Sequence, residues 1–403
     1  MFLPAEDDAV KLRVDAMNQR VSEGQQAGLY YYNQPISEIH GGSRVIVNGR
    51  EMGMFASYSY LGLIGHPRIN RAAIEAIDKF GTGTHGVRSL AGTLSIHVEL
   101  EETIANFKQT EAAITFSSGY VTNLTVVSTL LGRNDYVVSD KLNHASIVDG
   151  CQMSGAKFLR FKHNDMDALD ARMKQIPQNA TKLVISDAVF SMDGDIIDLP
   201  RIVDICKKYH AWLMIDEAHS LGVLGKNGSG IEEHFGMENS IDIKMGTLSK
   251  TIPSIGGYIA GKKELIQYLR HASRAYIFSA ALPPAQTAAA KEAFKVIIDE
   301  NWRIESLTSN TRQFIDGLKK RGFNTMFSKT AIVPVLCEKD TTAYLMTKFA
   351  QEHDIFVLPV VSPAVPEGLA RLRATITAAH APVDIEHAMD IIQEAGIKLG
   401  IIK

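Results

Sequence analysis

The chain has 403 residues, with 42 Lys+Arg against 45 Asp+Glu for a formal net charge of −3, and 45% hydrophobic and 22% charged residues. A composition this close to the globular average excludes disordered, collagen-like and coiled-coil architectures. The near-neutral balance, with no long basic block, argues against a nucleic-acid track or an anionic membrane surface as the main partner, which leaves small-molecule chemistry.

At roughly 150 residues per domain the length allows two or three domains. The first 50 residues read as an arm: one amphipathic helix, then irregular chain rich in Gly and Tyr, suited to packing on a neighbouring subunit or to trailing as a tail. From 51 to 285, short apolar runs alternate with helix-period segments, the pattern of an α/β domain around a mainly parallel sheet. Strands are expected at 135–140, 181–187, 211–216, 242–247 and 256–261, and helices at 68–79, 97–107, 120–131, 199–210 and 262–274. After Leu282-Pro283-Pro284 a long helical pattern runs over 285–320. Short strands at 331–337 and 355–360 and a last helix at 383–397 complete a smaller α+β domain, 286–403. No repeat of fixed period is visible.

The three cysteines, Cys151, Cys206 and Cys337, have spacings that fit neither a disulfide framework nor a zinc site, and no other metal-ligand pattern stands out. The N-terminus is charged and lacks an apolar h-region, and no run approaches the ~18 apolar residues of a membrane span. A soluble cytoplasmic protein is expected.

Two motifs mislead. Gly81-Thr82-Gly83-Thr84-His85-Gly86 fits G-x-G-x-x-G, but a dinucleotide site needs a strand before it, and here a helix is expected. Asp216-Glu217-Ala218-His219 spells the metal-holding tetrapeptide of some RNA helicases, yet no G-x-x-x-x-G-K-[ST] phosphate loop accompanies it.

The residues that carry chemistry lie at strand ends. Lys250, in Gly246-Thr247-Leu248-Ser249-Lys250, follows one strand, while Asp216 and His219 follow another. A lysine there can form a Schiff base with an aldehyde cofactor, and a buried carboxylate can hold a pyridine nitrogen protonated, making the ring an electron sink. These are the protein's half of a pyridoxal phosphate (PLP) site. Ser117-Ser118-Gly119-Tyr120 opens a helix, where free N–H groups and the helix dipole suit a phosphate. Thr247 adds a hydroxyl. His144, in Asn143-His144-Ala145-Ser146, also emerges at a strand end and can lie flat on a ring or simply cap a helix.

With these residues in view the chain resembles the α-oxoamine synthase family of fold-type-I PLP enzymes, nearly end to end. The matching segments run in the family's order: Tyr60-Leu61-Gly62-Leu63 with His66-Pro67, 83–93, 97–101, 117–120, 144–146, His163-Asn164-Asp165, 189–195, 216–219, 246–250, 278–284 and 365–380. The resemblance implies a large PLP domain and a small C-terminal domain, with Lys250 as Schiff-base lysine and proton-transfer base. It implies that Asp216 partners the pyridine nitrogen, His219 bonds the phenolic oxygen, and His144 stacks on the ring beside Ser191. Ser118, Gly119, Tyr120 and Thr247 would cradle the phosphate, joined by Ser279 and Ala280 from the second subunit of a homodimer. Arg373 would clamp the amino-acid carboxylate; a surface arginine is the plainer reading. A planar guanidinium can grip both carboxylate oxygens.

The reaction implied joins serine, glycine or alanine to an acyl thioester, on CoA or on a separate acyl carrier protein, and yields an α-amino ketone. Tyr58-Ser59-Tyr60 resembles the tripeptide of the family's serine palmitoyltransferases, with Ser59, a candidate substrate contact, standing where those have Asn. Bacterial serine palmitoyltransferases carry an extra arginine where this chain has Val361, and Pro253 stands where glycine is common. Branches of the family that make 8-amino-7-oxononanoate or act as 2-amino-3-ketobutyrate CoA ligases remain alternatives. So do a fold-type-I aminotransferase or lyase and a non-catalytic partner subunit, although the joint presence of Lys250, His144 and Asp216 speaks against the last.

Overall fold

The computed structural model describes residues 8–403; residues 1–7, the start of the expected arm, lie outside it. A helix at Ala9–Gln26 begins on Asp8, whose carboxylate accepts the N–H groups of Val10 and Lys11. It buries none of its residues: Val10, Val14 and Met17, at i, i+4 and i+7 on one face, are exposed, as is Leu12 on the other side. The expected apolar face is therefore uncovered within this chain.

The next segment departs from expectation as well. In place of irregular chain, Ile36–His40, Arg44–Val47 and Arg50–Met54 form three antiparallel strands. Asn48 and Gly49, both at positive φ (51° and 75°), make the two-residue turn that the right-handed strand twist favours. Val45, Val47, Met52 and Met54 alternate inward onto Phe356, and the last strand pairs in parallel with Ile355–Phe356.

The large sheet has seven strands in the order Ala112–Phe116, Pro253–Gly261, Ile243–Ser249, Trp212–Asp216, Lys182–Asp187, Tyr136–Asp140, Lys157–Phe161. Only Pro253–Gly261 runs antiparallel, to both of its neighbours. The central strands are buried on both faces, so Lys182–Asp187 is buried at every position and its Leu183-Val184-Ile185 run is apolar without alternation. Helices cover both faces, and two apolar clusters lie on the opposite sides of the sheet, one containing Val138, Val184 and Ile215, the other Val137, Ile185 and Met214.

The helical pattern expected over 285–320 is two helices, Pro284–Asp299 and Trp302–Lys320. They part at Glu300, whose carboxylate is held by His66 (3.1 Å) and Arg303 (2.7 Å). The strand expected at 355–360 is also two pieces: Ile355–Phe356 joins the N-terminal sheet, and Leu358–Val360 joins a three-stranded antiparallel sheet with Ala370–Thr375 and Ile332–Glu338. This sheet shares one core with the helices Trp302–Lys320, Asp340–Glu352 and Pro382–Lys398.

Candidate active site

Strands Ala112–Phe116, Tyr136–Asp140, Lys182–Asp187, Trp212–Asp216 and Ile243–Ser249 all end on one edge of the large sheet, and ligands of open α/β sheets bind outside such carboxyl ends. A cavity of about 240 Å³ opens there, lined by Ser118, Gly119, Tyr120, His144, Ser191, Asp216, His219, Thr247 and Lys250. The fold thus gathers these nine from five separate segments. Ser59 lines a neighbouring cavity of about 440 Å³ that also reaches Ser249 and Lys250. Ser279 and Ala280 line neither cavity of their own chain; Ala280 forms an antiparallel bridge with Val87.

One end of the cavity is built for an anion. Ser118 caps the helix Gly119–Leu130 and accepts the N–H of Val121 (3.1 Å), which leaves the first helical N–H groups directed outward. A Cβ on Gly119 would stand 3.0 Å from the Thr247 hydroxyl oxygen, and one on Gly257 2.8 Å from the Gly119 Cα. Only glycine permits this approach. Thr247 Oγ1 is held by Ser249 Oγ (2.8 Å) and by the Gly256 carbonyl (3.1 Å).

At the other end Asp216, 4% exposed, is fixed by Asn123 Nδ2 (2.7 Å) and the Ala218 N–H (2.8 Å). Asn123 also donates to Ser146 Oγ (3.0 Å). Asp187 is level with Asp216 on the adjacent strand, and burial, together with the Asp216 carboxylate, pushes its carboxyl well above the usual carboxylate range. Asp187 accepts the backbone N–H of His144 (2.9 Å), placing the ring that caps the helix Ala145–Ser154. Burial lowers the His144 pKa, which favours a neutral imidazole.

Lys250 follows its strand directly, and its Nζ lies 2.8 Å from His219 Nε2. His219 Nδ1 lies 2.5 Å from the Tyr60 hydroxyl. Burial pushes the Lys250 ammonium down to about 8, with Arg373 adding to this and Asp216 and Asp187 opposing it. Burial and the same cation hold His219 well below its ordinary value. The Tyr58 ring faces two cations, Arg373 Cζ at 4.8 Å and Lys250 Nζ at 5.8 Å from its centroid. Arg373, 6% exposed, donates Nε to the Ser191 carbonyl (2.6 Å) and Nη1 to Thr375 Oγ1 (3.0 Å). Its Nη2 and the Ser59 hydroxyl are buried without a partner.

These residues fit PLP: an N–H-lined cradle that a Cβ would fill, a buried carboxylate, and an amine with depressed basicity. Sequence reasoning missed four contributors. Asp187 ends a predicted strand as Asp216 does, and Asn123 lies one helical turn after Gly119, so both carried a signal. Ser146 and Tyr60 stood in matching segments without an assigned role, since their roles arise from contacts across the fold. Of the misleading motifs, Gly81 ends the helix Pro67–Phe80. Glu217 pairs with the buried Lys108 (2.5 Å) and accepts the Ile231 N–H (2.9 Å), which gives the acidic tetrapeptide a structural role.

The family model for aminotransferase class I and II matches residues 51–392. The chain is 42% identical over 390 residues to an 8-amino-7-oxononanoate synthase of Thermoanaerobacter pseudethanolicus, covering 96% of this chain and 98% of that protein. It is 41% identical over 370 residues to a serine palmitoyltransferase of Sphingobacterium spiritivorum, covering 92% of each. Among solved structures, a serine palmitoyltransferase with PLP aligns at a TM-score of 0.95 and 35% identity, over 98% of this chain and all of that one. An 8-amino-7-oxononanoate synthase of Francisella tularensis aligns at 0.75 and 28%, over 87% and 99%.

Proposed function

We propose, for a chain that belongs to the α-oxoamine synthases of the class I and II aminotransferase family, that it joins a small α-amino acid to an acyl thioester with release of thiol and CO2. The product is an α-amino ketone. Bound PLP supplies an aldehyde that links to amines and a protonated ring that stores the electron pair set free at Cα.

The chain's own groups do the rest. The N-terminus of the helix Gly119–Leu130 and Thr247 bind the phosphate. Asp216, oriented by Asn123, holds the proton on the ring nitrogen. With Lys250 at about 8, roughly a tenth of it is a free amine at pH 7, enough to exchange with an incoming amino group and to take a proton from Cα. His219 donates beside the lysine. Arg373 Nη2 grips the substrate carboxylate, and the Tyr58 ring gives both cations an aromatic face.

The observation that carries the reading is the buried, unpartnered Nη2 of Arg373. A buried guanidinium donor left unpaired is costly and finds its partner in a bound carboxylate. Serine with a long-chain acyl thioester is the favoured pair, because a serine palmitoyltransferase superposes over nearly the whole chain at 0.95 where the synthase reaches 0.75. A spectrophotometric screen of glycine, L-alanine and L-serine, followed by thiol release from short and long acyl-CoAs and from an acylated carrier protein, tests this. Serine with long-chain acyl-CoA gives the highest kcat/KM on this reading; a clear preference for alanine or glycine with a short donor contradicts the substrate assignment.

The active unit on this reading is a homodimer whose Ser279 and Ala280 complete the partner's phosphate cradle. The Val87–Ala280 bridge brings together two segments that expose Leu90 (83%) and Phe278 (74%), apolar surface suited to a second copy. The three cysteines, free and buried, suit a reducing cytoplasm. No helix among the described residues is long and apolar enough to cross a membrane.

A further inference from the structure

We propose that Tyr60 is a positioning residue that fixes His219 with its proton on Nε2, so that the imidazole donates toward the Lys250 nitrogen and favours the free amine over the ammonium. The Tyr60 side chain is fully buried. Its hydroxyl lies 2.5 Å from His219 Nδ1, an acceptor, and the Arg373 guanidinium also donates toward it. A buried O–H must donate to some acceptor, and Nδ1 is the one within reach. The nearby Arg373 guanidinium acts on the phenol's charge but is a donor only, so it cannot take the hydroxyl proton.

With Nδ1 accepting, a neutral imidazole carries its hydrogen on Nε2, which faces Lys250 Nζ at 2.8 Å. An ammonium there would set N–H against N–H, whereas a free amine offers its lone pair. The other groups facing the lysine are the carboxylates of Asp216 and Asp187, which favour the ammonium, and the Arg373 guanidinium, which disfavours it. His144 and the Tyr58 ring complete the surroundings. Geometry and charge therefore act together. The Tyr60–His219 contact thus works with burial against the two carboxyl groups that favour the charged form.

This inference rests on Lys250 being the site's reactive amine, and its test reads that amine without turnover. The full-length chain, stripped of cofactor, is modified with fluorodinitrobenzene across pH 6 to 11, and the modification of Lys250 is followed by peptide mass spectrometry. The wild type titrates near pH 8. Tyr60→Phe, which keeps the ring and its packing, moves the midpoint up by about one unit, because Nδ1 loses its donor and Nε2 becomes free to accept from an ammonium. In a His219→Gln background the same substitution adds nothing. A Tyr60→Phe midpoint at or below that of the wild type overturns the proposal, and so does an equal upward shift in the His219→Gln background. If Lys250 titrates as proposed but no turnover is found, the functional reading fails and this one stands.

Discussion

At the residue scale the site consists of charges placed singly and held from behind. Arg373 illustrates it: two of its three nitrogens are used on the chain itself, and the third is buried without a partner. Arg373→Ala removes a charge-assisted hydrogen bond worth about 1.5–3 kcal/mol and is expected to raise KM for the amino acid roughly 10- to 100-fold with a smaller effect on kcat. Arg373→Lys recovers only part, since an ammonium cannot grip two oxygens. Steady-state kinetics at saturating acyl donor check this; an unchanged KM in both variants contradicts the role. Lys250, Asp216 and His144 were legible because each lies at a strand end beside a recognisable motif. Tyr60 and Ser146 were not, because a tyrosine among apolar residues and a serine in the first turn of a helix acquire these roles only when His219 and Asn123 arrive from other parts of the chain.

At the scale of elements, the strands ending at Asp187, Asp216 and Ser249 and the helix Gly119–Leu130 were readable to within a residue or two, because a buried parallel strand centres on an apolar run and its helix is bounded by Gly or Pro. The strands Ala112–Phe116 and Ala370–Thr375 and the helix Ala145–Ser154, which also carry the site, were not anticipated. The misses have local causes. The Asn48-Gly49 hairpin carries a strong turn signal but sits among polar, weakly alternating residues, and the break at Glu300 has neither Gly nor Pro to mark it. One cross-link between elements yields a pH prediction. His163 lies between Asp140 (3.1 Å) and Asp195 (3.0 Å); burial lowers its pKa, but the two carboxylates outweigh that and raise it to about 10. A histidine raised above its unfolded value of ~6.5 contributes stability that is complete below that pH and lost as pH rises through about 10. His163→Ala should therefore destabilise by about 2 kcal/mol near pH 6. Urea denaturation should show the gap from wild type narrowing steadily toward pH 10; a gap independent of pH contradicts the charged clamp. Asp140 also accepts the Leu142 and Asn164 N–H groups, so the clamp steadies the loop leading to His144.

At the scale of the molecule, the large sheet supplies Lys250, Asp216 and the anion cradle, while Arg373 comes from the small C-terminal sheet. The two are tied through one loop, since Arg373 donates to Ser191 O and the fully buried Arg371 to Asp193 (2.7 Å) and Met192 O (3.2 Å). On the proposed reading, cofactor and substrate carboxylate are thus held by different parts of the chain, set by packing that no single motif encodes. The same scale carries the proposed dimer. Light scattering is expected to give twice 44.2 kDa, and Phe278→Asp is expected to shift it toward monomer with weaker PLP retention; a monomeric wild type that keeps PLP contradicts a shared site. The measurement that bears most directly on the whole account is product stoichiometry with carboxyl-labelled L-serine and a long-chain acyl-CoA. The account predicts one labelled CO2 and one free thiol per α-amino ketone, and neither from Lys250→Ala. Transfer of the amino group to a 2-oxo acid, with the labelled carboxylate retained and no thiol released, would contradict it.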